Sequence, residues 1–170
     1  MIKKEVLDAM NEQINAESYS AYLYLAMAAY FESLGLSGFA KWMKVQYQEE
    51  SAHAIRFFNY IVGRNGRVIL KPIAQVPVDF ENIVDVFEKT LEHEIHVSSL
   101  INNLMDVAVK AGDHASQSFL KWFVDEQVEE EANVEQILNT LKLINGQGDG
   151  IFMMDRELGQ RVFVDPNAAA

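Results

Sequence analysis

No cysteine occurs in the 170 residues, which excludes disulfides, zinc knuckles and iron–sulfur ligation. Positive charge is scarce: 14 Lys and Arg stand against 25 Asp and Glu, a net charge of −11. That balance argues against a nucleic-acid partner, which needs clustered Lys and Arg, and against an anionic membrane surface. No stretch approaches the ~20 apolar residues of a membrane span. The start, Met1 to Val6, is not followed by the apolar core of a signal peptide. A cytoplasmic location is expected. There are only three prolines and no low-complexity window, and 49% of residues are apolar, so disorder is not expected. The length suits one domain with a sizeable core.

Four long segments carry helical periodicity. The first runs from about Lys4 to Leu34 and is closed by Gly35. Ser37 is the expected cap of the second, which continues to about Arg64 before Asn65-Gly66 breaks it. Asp79 is the expected cap of the third, about Glu81 to Ala111. Gly112-Asp113 supplies a stop and a new cap, and the fourth runs to about Ile144. A hinge is expected over 145–150, then a short apolar-rich segment, Ile151 to Val164, that must bury one side. The chain therefore divides into a bundle over 1–145 and a hinge, short fifth helix and tail over 146–170.

Loop lengths suggest the topology. The turns at 35–37 and 112–113 make two antiparallel hairpins. The segment from 65 to 80 can reach roughly 55 Å when extended, more than the roughly 40 Å length of a 27-residue helix. It can run the full length of a bundle and set helices two and three parallel. The predicted fold is all-α: an up-down-down-up four-helix bundle with a long crossover and a short fifth helix.

Each helix has an apolar stripe interrupted by acid. Helix one reads Leu7, Met10, Ile14, Glu17, Ala21, Tyr24, Ala28, Phe31; helix two reads Phe39, Met43, Gln46, Glu50, His53, Phe57, Tyr60. Helix three reads Val84, Phe87, Leu91, Glu94, Ser98, Ile101, Met105, and helix four Phe123, Gln127, Glu130, Val134, Ile137, Leu141, Ile144. Measured from the two turns, the four glutamates agree in height to within about 7 Å at ~1.5 Å per residue. Glu50 and His53 form Glu-x-x-His, two ligand types on nearly the same helix face. Buried carboxylates this close repel, so they must take up protons or hold cations. No Lys or Arg falls on the stripes near that layer. Two divalent cations would balance four carboxylates. An oxygen-rich set with little nitrogen and no sulfur suits iron or manganese, with zinc open on affinity.

With Glu17 in Asn15-Ala16-Glu17-Ser18-Tyr19, then Glu49-Glu50-Ser51-Ala52-His53, Glu94 and Glu126-Gln127-Val128-Glu129-Glu130, the chain resembles a bacterial-type non-haem ferritin over essentially its full length. The resemblance implies a di-iron ferroxidase centre. Glu17, Glu50 and His53 would hold one iron, and Glu50 would bridge to a second held by Glu94 and Glu130. Gln127 would be a hydrogen-bonding or weak ligand there. It also implies a third iron site on Glu49, Glu126 and Glu129, where a plain run of surface acids is the competing reading. Tyr24 would donate an electron during oxygen reduction; read from the residues alone, it is equally a core tyrosine. The implied reactants are Fe(II), converted to Fe(III), and O2 or peroxide, and the implied assembly is a 24-subunit homo-oligomeric cage.

Helix four offers Gln127-x-x-Glu130 where a symmetric di-iron pattern would repeat Glu-x-x-His. The second ion loses a nitrogen and an anionic ligand, which suits iron in transit better than a retained cofactor. Ser51 follows Glu50 where bacterioferritin would have its haem-ligating methionine, so no haem is expected. The alternative is a di-metal peroxidase or catalase-like enzyme with retained metals. A rubrerythrin-like version would need a cysteine-ligated iron. His93 and His96 flank Glu94 but point off its stripe, toward surface or interface roles.

Overall fold

Helices α1 (Lys4–Ser33) and α2 (Ser37–Gly63) form the first hairpin. The turn between them needs a left-handed residue, and Gly35 supplies it at φ +74°. The N–H groups of Gly35 and Leu36 fold back onto the carbonyls of Glu32 and Phe31 at 3.1 and 3.0 Å, satisfying the end of α1. α3 (Ile83–Lys110) and α4 (His114–Leu143) form the second hairpin. Gly112 turns the chain there at φ +62°, and the Asp113 carboxylate accepts from the Ser116 N–H at 3.1 Å. α5 (Asp149–Leu158) completes the order. The computed structural model describes residues 1–145 and 148–168. Gly146 and Gln147 of the expected hinge, and Ala169 and Ala170 of the tail, lie outside them. Among the described residues there is no strand, and no helix is long and apolar enough to cross a membrane.

The crossover travels as its length requires. Asn11 on α1 donates to the Arg67 carbonyl at 3.2 Å and accepts from the Ile69 N–H at 2.7 Å. Asn15, one turn on, donates to the carbonyls of Lys71 and Pro72, and near the far end Phe80 meets Tyr30 edge to face at 5.2 Å. The loop thus follows α1 along its length and sets α3 parallel to α2, giving the up-down-down-up bundle.

Two of the expected caps are replaced. Asn82, not Asp79, caps α3, accepting from the Asp85 N–H at 3.0 Å. At α2, Ser37 lies inside the helix and Leu36 is the capping residue, with no side-chain hydrogen bond. The free N–H groups of Gly38 and Phe39 donate instead to Asp155 Oδ1 of α5, at 2.8 and 3.0 Å. An anion at a helix N-terminus also meets the positive end of its dipole, so α5 is docked by the polar groups α2 leaves open. Only glycine fits the contact, because a Cβ on Gly38 would lie 1.6 Å from the Asp155 carbonyl oxygen. Gly38→Ala is expected to push α5 off α2 and destabilise the chain by about 1–3 kcal/mol. A lower melting temperature, with faster proteolysis near residue 159, would register it; an unchanged cleavage pattern would speak against this docking.

The stripe of α3 is rotated from its expected position. Val86, Phe87, Thr90, Glu94, Val97, Ile101, Leu104 and Ala108 are buried, whereas Val84, Leu91, Ser98 and Met105 are half-buried. Thr90 can face inward because its hydroxyl donates to the Val86 carbonyl at 2.8 Å. Glu94 falls on both stripes. On α4, Leu138 takes the core place expected of Ile137, and Ile144 is half-buried. The apolar core consists of two clusters. One gathers Phe31, Phe39, Phe87, Leu141 and Leu158; the other gathers Met10, Phe57, Ile101, Leu120 and Phe123. Between them lies the carboxylate layer.

Candidate metal centre

Glu17 of α1, Glu50 and His53 of α2, Glu94 of α3 and Glu130 of α4 are all buried, none more than 3% exposed. Glu17, Glu50 and His53 each offer a ligand atom, and those atoms lie within 4.8 Å of one another. Glu50 Oε2 stands 3.5 Å from His53 Nδ1 yet has no hydrogen-bond partner, and His53 Nε2 is also buried without one. Buried polar atoms left unpaired are costly. A cation between the two side chains would satisfy the carboxylate.

The other half of the layer is ordered by hydrogen bonds. The Tyr24 hydroxyl donates to Glu94 Oε1, and Gln127 Nε2 donates to Glu94 Oε2 at 3.1 Å. Gln46 Nε2 donates to Glu130 Oε2 at 2.9 Å. Gln13 similarly donates to Glu17 Oε1 at 2.9 Å. These amides keep carboxylate oxygens aimed while adding no charge, the role outer partners take around metal ligands. The sequence places Gln46 on the stripe of helix two without a site role, and Gln13 lies off the stripe of helix one. The available signal was spacing, since each lies four residues before a ligand candidate on its own helix.

Burial dominates the electrostatics. It raises the Glu17 carboxyl to about 8, with the nearby Glu50 charge adding to the effect. Burial and then Glu130 raise Glu94 to about 7. Glu50 is pushed well above the usual range by burial and then by Glu94 and Glu130. The Tyr24 phenol is pushed up by burial and Glu94, so it stays a proton donor. At neutral pH the layer holds protons that cations can replace.

A profile described as a ferritin-like domain matches residues 7–144. The chain belongs to the ferritin family. A bacterial non-heme ferritin of Bacteroides fragilis is 48% identical over 162 residues, covering 95% of this chain and all of that protein. One from Staphylococcus aureus is 37% identical over 163 residues, covering 96% and 98%. Among solved structures, an Archaeoglobus fulgidus ferritin engineered into a closed form superposes with a TM-score of 0.95 at 43% identity. That match covers 96% of this chain and all of the other. The same organism's open-pore ferritin gives 0.94, over 95% and 100%.

The remaining ferritin candidates are arranged less tightly. Glu49 is half-buried and pairs with Arg161, Nη2 to Oε2 at 2.6 Å. Burial still raises its carboxyl to about 7, against the pull of Arg161. Glu126 is half-buried and Glu129 exposed, and burial moves Glu126 upward too. His93 is partly exposed and packed on its inner side. It sits half-buried between α1 and α3, its Nε2 2.8 Å from Ser20 Oγ, its ring 5.8 Å from Tyr19 and 6.4 Å from Tyr24. Burial lowers its imidazole to about 4. His96 is exposed.

Proposed function

We propose that this ferritin stores iron by oxidising Fe(II) with O2 or peroxide at an intrasubunit di-iron centre and retaining the ferric product as mineral within a homo-oligomeric shell. The observation that carries this is a buried layer of four glutamates and a histidine drawn from all four helices. Glu17, Glu50 and His53 would bind one Fe(II). Glu94 and Glu130 would bind the other, with Glu50 shared and Gln127 alongside. Each pair of ions gives up two electrons, which reduce O2 to peroxide or peroxide to water. Anionic oxygen ligands favour the higher charge of Fe(III), and the shared carboxylate sets the spacing of the ions. The centre has no haem. Tyr22, Tyr47, Ile55 and Phe58 on α1 and α2, and Phe152 and Met153 on α5, are exposed apolar groups that support subunit contacts, up to the 24-subunit cage the family resemblance implies.

Zn(II) tests the chemistry directly, because it takes the same ligands and cannot be oxidised. Wild-type protein is expected to oxidise Fe(II) with matched O2 uptake, and Zn(II) at about two ions per chain should stop it. Oxidation no faster than in buffer would overturn the proposal.

Tyr24 has a narrower task, holding Glu94 toward the second ion through its hydroxyl. Tyr24→Phe should lower the affinity for that ion or the oxidation rate by roughly 10–100-fold, with the fold intact. Equal Fe(II) binding and equal rates in a stopped-flow comparison would leave Tyr24 as a packing residue.

A further inference from the structure

A cleft of about 310 Å³ opens between α3 and α4. Asn102 and Ser98 of α3 and Gln127, Glu131, Ala132 and Glu135 of α4 stand along it. Asn102, Ala132 and Glu135 are exposed, Ser98 and Glu131 half-buried, and Gln127 buried. The lining therefore leads inward to Gln127. Glu131 and Glu135, four residues apart, share one helix face, and among the described residues that line the cleft there is no Lys or Arg. Such a recess focuses a negative potential that concentrates cations. It has room for an ion still carrying six waters, which occupy roughly 180 Å³ at ~30 Å³ each.

Gln127 closes the inner end. Its Nε2 donates to Glu94 Oε2 at 3.1 Å, to the Glu94 carbonyl at 3.3 Å and to Ser98 Oγ at 3.4 Å. The Ser98 hydroxyl donates in turn to Glu131. A line of polar groups thus runs from Glu131 through Ser98 and Gln127 to a buried carboxylate of the centre. All three Gln127 bonds use Nε2, which leaves the carbonyl oxygen Oε1 for a cation. Two of them are longer than the usual 2.7–3.2 Å range, so the amide is held loosely enough to turn.

We propose that this cleft is the passage by which Fe(II) reaches the second iron position, with Glu131 the outer carboxylate that receives the ion and Gln127 the gate that hands it to Glu94. The inference rests on the ferritin reading of the centre and deepens it. A cation at Glu131 turns the Ser98 hydroxyl away from the carboxylate and toward its own lone pairs. The same charge repels the Nε2 end of the Gln127 amide and attracts Oε1. Turning the amide brings its oxygen to the ion and frees Glu94 Oε2 to take it. A hydroxyl and an amide are neutral, so they pass the ion on without trapping it, the balance any ion path requires. Glu131 and Glu135 are positioning residues, outside the ligand set of the centre.

Initial rates of Fe(II) oxidation over a range of Fe(II) test this in assembled protein, with assembly checked by size-exclusion chromatography. Glu131→Gln with Glu135→Gln removes the charge of the cleft. It should lower kcat/KM about tenfold while kcat at saturating Fe(II) stays within twofold, and the deficit should shrink in high salt. Glu5→Gln with Asp8→Asn, an equal charge change on the exposed start of α1, should leave kcat/KM unchanged. Ala132→Trp fills the cleft from an exposed position and should lower kcat/KM at least as far. Anaerobic calorimetry should still count roughly two Fe(II) per chain in every variant. A kcat/KM within about twofold of wild type in either cleft variant would overturn the passage. A fall in kcat with KM unchanged would also overturn it, marking Glu131 as a prop for Ser98 and Gln127. Absence of Fe(II) binding by the wild type would instead overturn the centre, and this inference with it.

Discussion

Glu50→Ala will abolish rapid Fe(II) oxidation, lowering its rate by at least about 100-fold. Glu50 is the one carboxylate within ligand range of Glu17 and His53 that also feels the charges of Glu94 and Glu130 most strongly after burial itself. It is therefore the side chain placed to be shared by both ions. Losing a partner that merely orients a ligand costs about 10–100-fold, and losing the shared ligand removes charge, spacing and coordination together. The fold should survive, because the substitution removes a buried carboxylate that has an unpaired oxygen. Glu50→Gln separates the causes: it keeps the volume and loses the negative charge, and it should be nearly as slow. Stopped-flow oxidation with far-ultraviolet circular dichroism as the folding control reads both. Rates within about threefold of wild type in either variant would remove Glu50 from the centre.

The second large effect is an inverted pH dependence of stability. Unfolded, Glu17 and Glu94 titrate near 4.5; folded, they titrate near 8 and 7. The native state thus binds protons more tightly, and stability must fall as pH rises. The contribution is fully present below about 4.5 and is lost as pH passes through 7 to 8. At ~1.4 kcal/mol per unit, the loss between pH 5 and 8 is on the order of 6 kcal/mol, or about 10–20 °C in melting temperature. Saturating Zn(II) should reverse the slope, because ions require deprotonated ligands and stabilise the fold they bind. Glu17→Gln should flatten much of the slope without added metal. Melting curves at pH 5, 6, 7 and 8, with and without Zn(II), decide it. A slope that rises with pH in chelator-treated protein would mean the layer is ionised without cations.

These effects were within reach of the sequence because the acids interrupt otherwise regular stripes. Glu17, Glu50, Glu94 and Glu130 replace apolar residues at helical spacing, and the turns at Gly35 and Gly112 put them at one height. Glu94 survived the rotation of α3 because it lies on both possible stripes; Val84 and Leu91 did not, since neighbouring faces of an amphipathic helix look alike until partners choose between them. The missed features depend on residues distant in the chain. Ser37 is the local cap signal of α2, but Asp155 reaches the open N–H groups there from more than a hundred residues away. The acid run around Glu126 and Glu129 was visible; Arg161 lying on Glu49 was not, because no local pattern says where the segment after α5 will lie. Tyr24 shares the stripe of Glu17, but only the fold joins its hydroxyl to Glu94.

Iron loading tests storage most directly. Fe(II) is added anaerobically in increments to chelator-treated wild-type protein, air is admitted after each, and ferric iron that stays with the protein is counted per chain. Storage predicts uptake far beyond the roughly two to three ions that the ligand sets can hold, retained in soluble particles whose protein shell keeps its size. A plateau near two ions per chain would contradict storage and leave a di-metal site that keeps its metals.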